Sequence, residues 1–297
     1  MHTFNEGGSH YCCAVTSDDR FVLVGTNNSR IIIWNLETKS RITALIEHGR
    51  GLRDICLTSD DRYYVSAGGD YTIFLMGMTE KKLRGRMKGH QNQIYAMDLS
   101  PDGQYLATGG MDIALRIWDT RQLKQVHNSQ FHRDTINGLS FSANGEMLVT
   151  GSMDSDVIVY NTNDWSVLKH IRGQGWKTVY NAIFNTKCTW VLFGADAIVR
   201  IYDLETEQEV AALEGHTKQV RCVCITKDDR IACSGGHDRC IRIWDLHQMK
   251  SIGKLDGHNN FVLTIALTPD DSMIVSSGSD CTVRLWDLED QRVMSIM

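Results

Sequence analysis

The chain has 297 residues, 42% of them hydrophobic and 23% charged, with a formal net charge of −5. These proportions are ordinary for a globular protein, and the acidic balance speaks against nucleic acid binding over the whole surface. No apolar run approaches the 18 residues a membrane-spanning helix needs, and "MHTFNEGGSH" does not show the basic-then-apolar pattern of a signal peptide.

Internal repetition organises the chain from its start. Steps of 42 residues pass in order through Trp34, Met76, Trp118, Tyr160, Tyr202, Trp244 and Trp286. The same step joins Asn28, Asp70, Asp112, Asp154, Asp196, Asp238 and Asp280, and a third joins Glu6, His48, His90, His132, Gln174, His216 and His258. Seven such periods span 294 residues, so residues 1–297 read as one repeat domain with no linker and no long insertion.

Each period predicts four short strands. In the sixth, "RCVCIT" (221–226) is followed by the turn "KDD" (227–229), then "RIACSG" (230–235), "CIRIWD" (240–245) and "SIGKLD" (251–256). Short strands punctuated by Asp, Gly and Asn turns are an all-β signature. Ile241 and Ile243 share one strand face and Arg242 and Trp244 the other, which suits a sheet packed on both sides. The two prolines, Pro101 and Pro269, sit in turns after a first strand, where they remove no ladder donor. The last strand expected is "RVMSIM" (292–297). The nine cysteines include no CxxC pair, and Cys222 and Cys224 share a strand face. They read as buried free thiols rather than metal ligands, as in a reducing intracellular compartment, cytoplasmic or nuclear.

"WD" recurs at 118–119, 244–245 and 286–287, and "GH" at 89–90, 215–216 and 257–258. With a 42-residue period, these marks make the chain resemble the WD40 family along its whole length. The resemblance implies an all-β, seven-bladed β-propeller with four antiparallel strands per blade around a central channel. Hydroxyl, histidine and acid also look like the parts of a hydrolytic triad. The resemblance instead implies a structural chain of hydrogen bonds from indole through hydroxyl and imidazole to carboxylate, worth about 2–4 kcal/mol per blade. The complete sets are His90–Thr108–Asp112–Trp118, His216–Ser234–Asp238–Trp244 and His258–Ser276–Asp280–Trp286. A catalytic site needs one exposed hydroxyl beside an oxyanion hole, whereas a scaffold needs one set per blade. Met76 cuts the set of the second blade and Tyr160 replaces tryptophan in the fourth. The fifth has Gln174, Leu192 and Tyr202, and the first has Glu6, Val24 and Asn28, so blades one and five are expected to open first.

No catalytic residue, cofactor or metal is expected, and function is expected on the propeller's own faces. Partner docking in this family implies the face carrying the loops into the first strands and the turns before the third. Carried over by position, the contact residues expected there are Tyr11, Arg53, Tyr95, Met111, Asn137, Met153, Lys177, Arg221, His237, Phe261 and Leu263. The corresponding positions of the fifth blade are Lys177, Val179 and Ala195. No such position in any blade is acidic, and Arg50, Arg133, Lys218 and Trp176 lie nearby in sequence against one acid, Asp134. This composition suits a protein or peptide ligand with acidic or phosphorylated character. "WDTR" (118–121) also resembles the motif by which some WD40 proteins engage a cullin-4 ubiquitin ligase adaptor, which would make Arg121 the contact. The expectation is a protein-interaction scaffold, monomeric as an isolated domain, with no membrane and no nucleic acid partner. It is alternatively a ligase substrate receptor, or a sensor or docking domain cut from a larger signalling or regulatory protein.

Overall fold

The computed structural model describes residues 8–46, 48–290 and 292–296. They form seven four-stranded antiparallel sheets, each made of four consecutive strands. In the sixth blade the strands are Val220–Ile225, Ile231–Gly236, Cys240–Asp245 and Lys250–Asp256, within one residue of the expected limits. The last strand, Arg292–Ile296, falls inside the expected "RVMSIM". Each first strand lies beside the first strand of the next blade, and Val262–Leu267 lies beside His10–Val15, so the sheets close into a ring. Ser277 Oγ donates to the His10 carbonyl at 3.3 Å across that closing seam. The architecture is a seven-bladed β-propeller.

The seven apolar clusters of the core lie in the seven seams between blades. One joins Ile117 and Leu115 of blade three to Leu139, Phe141 and Tyr160 of blade four. Another joins Val22, Ile32 and Trp34 of blade one to Val275 and Leu285 of blade seven. A blade therefore buries both of its faces against neighbours, which is why its strands carry apolar residues on both sides. No helix among the described residues is long and apolar enough to cross a membrane.

Two local features place the side chains discussed below. The first strand of blade one is bulged, because His10 pairs with Thr26 and Cys12 with Gly25, leaving Tyr11 without an opposite residue. The bulge recurs at Arg53, Tyr95, Asn137, Arg221 and Leu263. A bulge re-aims the unpaired residue, here into the mouth of the central channel. Its close backbone approach explains Gly110, where an added Cβ would lie 2.1 Å from the Gln93 carbonyl oxygen.

The second feature corrects a sequence expectation. The fifth blade keeps the 42-residue period only through two compensating changes. Its first two strands, Val179–Phe184 and Trp190–Ala195, are displaced by one residue from the positions the repeat predicts. Its third strand, Ile198–Asp203, is back in register. One residue is gained in the loop around Gly175 (φ 97°) and one is lost in the turn at Asp196 and Ala197.

Candidate functional site

The clasps are built from four elements of one blade. In blade three the Trp118 indole N–H donates to Thr108 Oγ1 at 2.8 Å. Indole can only donate, so the hydroxyl accepts that bond and gives its own proton to His90 Nε2 at 2.7 Å. His90 Nδ1–H then donates to Asp112 at 2.9 Å, and the Gln91 backbone N–H meets the same carboxylate at 3.0 Å. Blades six and seven repeat this chain. Trp244 reaches Ser234 and Trp286 reaches Ser276, each at 2.7 Å. His216 and His258 hold their hydroxyls at 2.8 and 2.7 Å and their acids at 2.8 and 2.9 Å. Burial acts most strongly on Asp112 and opposes its charge. The His90 bond, the Gln91 N–H and Arg116 together outweigh burial and hold the carboxyl below its ordinary range. Thr108, Ser234 and Ser276 are fully buried beneath indole, so a substrate carbonyl has no approach to them.

The departures are only partly as expected. In blade two Met76 removes the indole link alone: His48 still bonds Ser66 at 2.9 Å and Asp70 at 2.8 Å. In blade four His132 joins Thr150 at 2.7 Å and Asp154 at 3.0 Å, while the Tyr160 hydroxyl makes no hydrogen bond of regular geometry. In blade five the offset puts Phe193, not Leu192, in the hydroxyl's place. Trp176 packs there against Phe193, donates to the Ser155 carbonyl at 2.8 Å and carries Arg200 on its ring at 4.5 Å. Glu6 of blade one lies outside the described residues.

His216, Asp238 and Cys240 form the one group among the described residues spaced to hold a metal ion. Cys240 Sγ lies 3.8 Å from His216 Nδ1. Burial and the adjacent Asp238 push the Cys240 thiol up to about 12, and both nitrogens of His216 are engaged in the clasp. The donor set fits a neutral thiol in a closed network better than a metal ligand.

The channel mouth is the second constellation. Tyr11, Arg53, Tyr95, Asn137, Arg221 and Leu263 line one cavity of about 100 Å³ together with Tyr180 and Asn181. Arg53 lies over the rings of Tyr11 and Tyr95, at 4.5 and 5.0 Å from their centroids. Arg221 lies over Tyr180 at 4.3 Å. His237 stacks on Phe261 at 4.3 Å and stands 5.9 Å from Tyr180. Met111, Met153 and Phe261 are exposed, and so are Lys177 and Phe131. Val179 is fully buried, and Tyr180 occupies the channel position expected of it. The sequence signal for the displacement is the glycine-flanked "GQGW" followed by the shortened "ADA" turn. Deeper in the channel, burial pushes the carboxyls of Asp54 and Asp98 up to about 7 and about 6.

Arg121 lies at the opposite end of the blade. It is exposed and borders a groove of about 470 Å³ between blades two and three, lined also by Tyr63, Leu75, Leu99, Asp102 and Leu123.

Ring closure, seven blades and internal clasps define a repeat propeller. Residues 81–119, 123–161, 207–245 and 249–287 match the family of the WD domain, G-beta repeat. These segments cover more than half of the chain, and the chain belongs to the WD40 family. They contain the third strands of blades three, four, six and seven, and each of these blades keeps the histidine, the hydroxyl and the acid of the clasp. The chain matches no curated protein.

Proposed function

We infer that this propeller is a protein-interaction scaffold that docks a peptide or protein segment of acidic or phosphorylated character on the face around Arg53 and Arg221. WD40 propellers generally serve as scaffolds for proteins or peptides, and the fold is consistent with that use. The observation that carries the reading is the pair of arginines set on aromatic rings at the channel mouth, surrounded by exposed Met111, Met153 and Phe261. Aromatic, methionine and arginine side chains are the residues that dominate binding hot spots. Domain extent, intracellular location and monomeric state belong to the same reading.

Crosslinking mass spectrometry in the native cell, repeated with Arg53→Glu and Arg221→Glu together, tests it. The expected result is an acidic or phosphorylated segment linked near Arg53, Tyr95 and Arg221, lost in the double variant. Unchanged partner recovery would place docking elsewhere. Arg121 supports a second reading, adaptor contact within a cullin-4 ligase, because it is exposed beside a groove on the other face. Arg121→Ala should then abolish adaptor binding and leave the first partner bound.

A further inference from the structure

We propose that the channel mouth is a single oxyanion subsite in which Arg53 and Arg221 close on one phosphate monoester group carried by the docked segment. The proposal rests on the top-face reading above and narrows its ligand.

The two guanidiniums are short of negative charge. Arg53 donates one hydrogen bond, to Gln93 Oε1 at 3.1 Å, and is otherwise held between Tyr11 and Tyr95. Among the described residues Arg221 meets the ring of Tyr180 but no carboxylate or other acceptor. Ring faces orient a cation and lower its energy by about 0.5–2 kcal/mol, but they do not neutralise it. One acid, Asp54, lines the same cavity, but its carboxyl is already committed. Its Oδ1 takes the Ile55 N–H at 2.9 Å and its Oδ2 the Met97 N–H at 2.7 Å, tying blade two to blade three. Burial, and repulsion from Arg53, hold the guanidinium of Arg221 below its ordinary value. A half-buried cation without a counter-charge is a ready partner for an anionic ligand.

Shape points the same way. The cavity of about 100 Å³ is lined by both arginines and has room for a tetrahedral oxyanion. The stem that carries it must then lie on the outer ring, where His237 and Phe261 stack. Two guanidinium forks carry two positive charges and several parallel N–H donors. A phosphate monoester offers nearly two negative charges and three acceptor oxygens, whereas a carboxylate offers one charge and two oxygens.

The test uses the full chain and inorganic phosphate, observed by ³¹P NMR line width at constant ionic strength. The wild-type protein should broaden the phosphate line. Arg53→Gln and Arg221→Gln should each weaken phosphate binding about tenfold or more, the scale of one lost charge-assisted hydrogen bond. Arg121→Gln, on the other face, should bind as the wild type does. O-phosphoserine should displace phosphate and acetate at the same concentration should not. No broadening by the wild type overturns the proposal, as does equal broadening by all three variants, which would mean an adventitious ion only. Displacement by acetate as effective as by O-phosphoserine overturns the phosphate assignment. Circular dichroism shows whether each variant is folded, and the two arginines are tested independently so that one misfolded variant does not decide the outcome. Crosslinking to this face without phosphate binding would remove the subsite and keep the docking reading.

Discussion

Ser66 and Ser234 occupy the same place in two blades but differ in what depends on them. Ser234 accepts from the Trp244 indole and donates to His216, and removing its hydroxyl strands both inside the core. Ser66 bonds His48, and Met76 beside it has no donor to strand. Both serines are fully buried, so no water takes over the lost bonds. Ser234→Ala should cost about 2–4 kcal/mol of stability and Ser66→Ala about 1–2 kcal/mol less than that. Urea unfolding of the two variants checks the difference, and equal losses would mean that the indole bond contributes little. The partners in these clasps were legible as residue types repeating every 42 positions, and the structure brings them within hydrogen-bond distance. Tyr180 was not legible, because adding one residue to a loop and removing one from a turn leaves the period unchanged while the strands between them slide. A slide of one residue in a strand exchanges its two faces, which is why Val179 goes to the core and Tyr180 to the channel.

Strands and turns also decide how tightly neighbouring blades are joined on the face opposite the arginines. The turn after the first strand ends in an aspartate at positive φ in several blades: Asp61 at 53°, Asp229 at 59° and Asp271 at 58°. Each accepts a backbone N–H from the preceding blade. Ser17 reaches Asp61 at 2.8 Å, Thr186 reaches Asp229 at 2.8 Å and Lys227 reaches Asp271 at 2.8 Å. In blade three the residue at this place is Gly103, at φ 68°, and the seam between blades two and three carries the groove beside Arg121. A Cβ on Gly103 would meet nothing within 4 Å. Gly103→Asp should therefore adopt the backbone its counterparts already use and receive the Ser59 N–H. The charge-assisted bond should outweigh the left-handed backbone cost, for a gain of about 1 kcal/mol, while Gly103→Ala takes the cost alone and loses about 1 kcal/mol. Thermal unfolding of the two variants should move in opposite directions, and a shift of the same sign in both would dismiss the latch. The turns themselves were readable from Asp and Gly, but their role between blades was not. The acceptor and its donor are more than 40 residues apart, and only ring geometry brings them together.

On the scale of the whole ring, two sets of acids pull stability in opposite directions with pH. The clasp acids Asp70, Asp112, Asp154, Asp238 and Asp280 are held below the ordinary carboxylate range. Burial opposes their charge most strongly, but the bond from histidine and its neighbours wins. A lowered carboxyl stabilises the fold above its unfolded-state value, and that stabilisation is lost as acid is added below about pH 4. The channel acids Asp54 and Asp98 behave in the reverse sense, with burial raising them to about 7 and about 6. The folded chain binds protons there that the unfolded chain has released, so their favourable contribution is complete below about pH 4 and is lost as pH rises to about 7. His10, buried at the closing seam, works against this trend. Burial lowers its value, so acid below about pH 6.5 favours the unfolded chain. A single wild-type profile therefore mixes the two, and the difference from Asp54→Asn isolates the channel. The amide keeps an acceptor for the Met97 N–H but cannot ionise. From pH 5 to pH 8 the wild type should lose stability relative to this variant, with most of the change complete by about pH 7. Urea midpoints at half-unit steps measure it, and parallel profiles would mean that Asp54 ionises in the fold as easily as it does in water. The same experiment links stability to binding. Phosphate itself gains charge at about pH 7, so the variant is the reference at each pH: if phosphate draws its affinity from Arg53 and Arg221, ionising Asp54 in the same cavity should weaken binding to the wild type relative to Asp54→Asn as pH rises from 5 to 8.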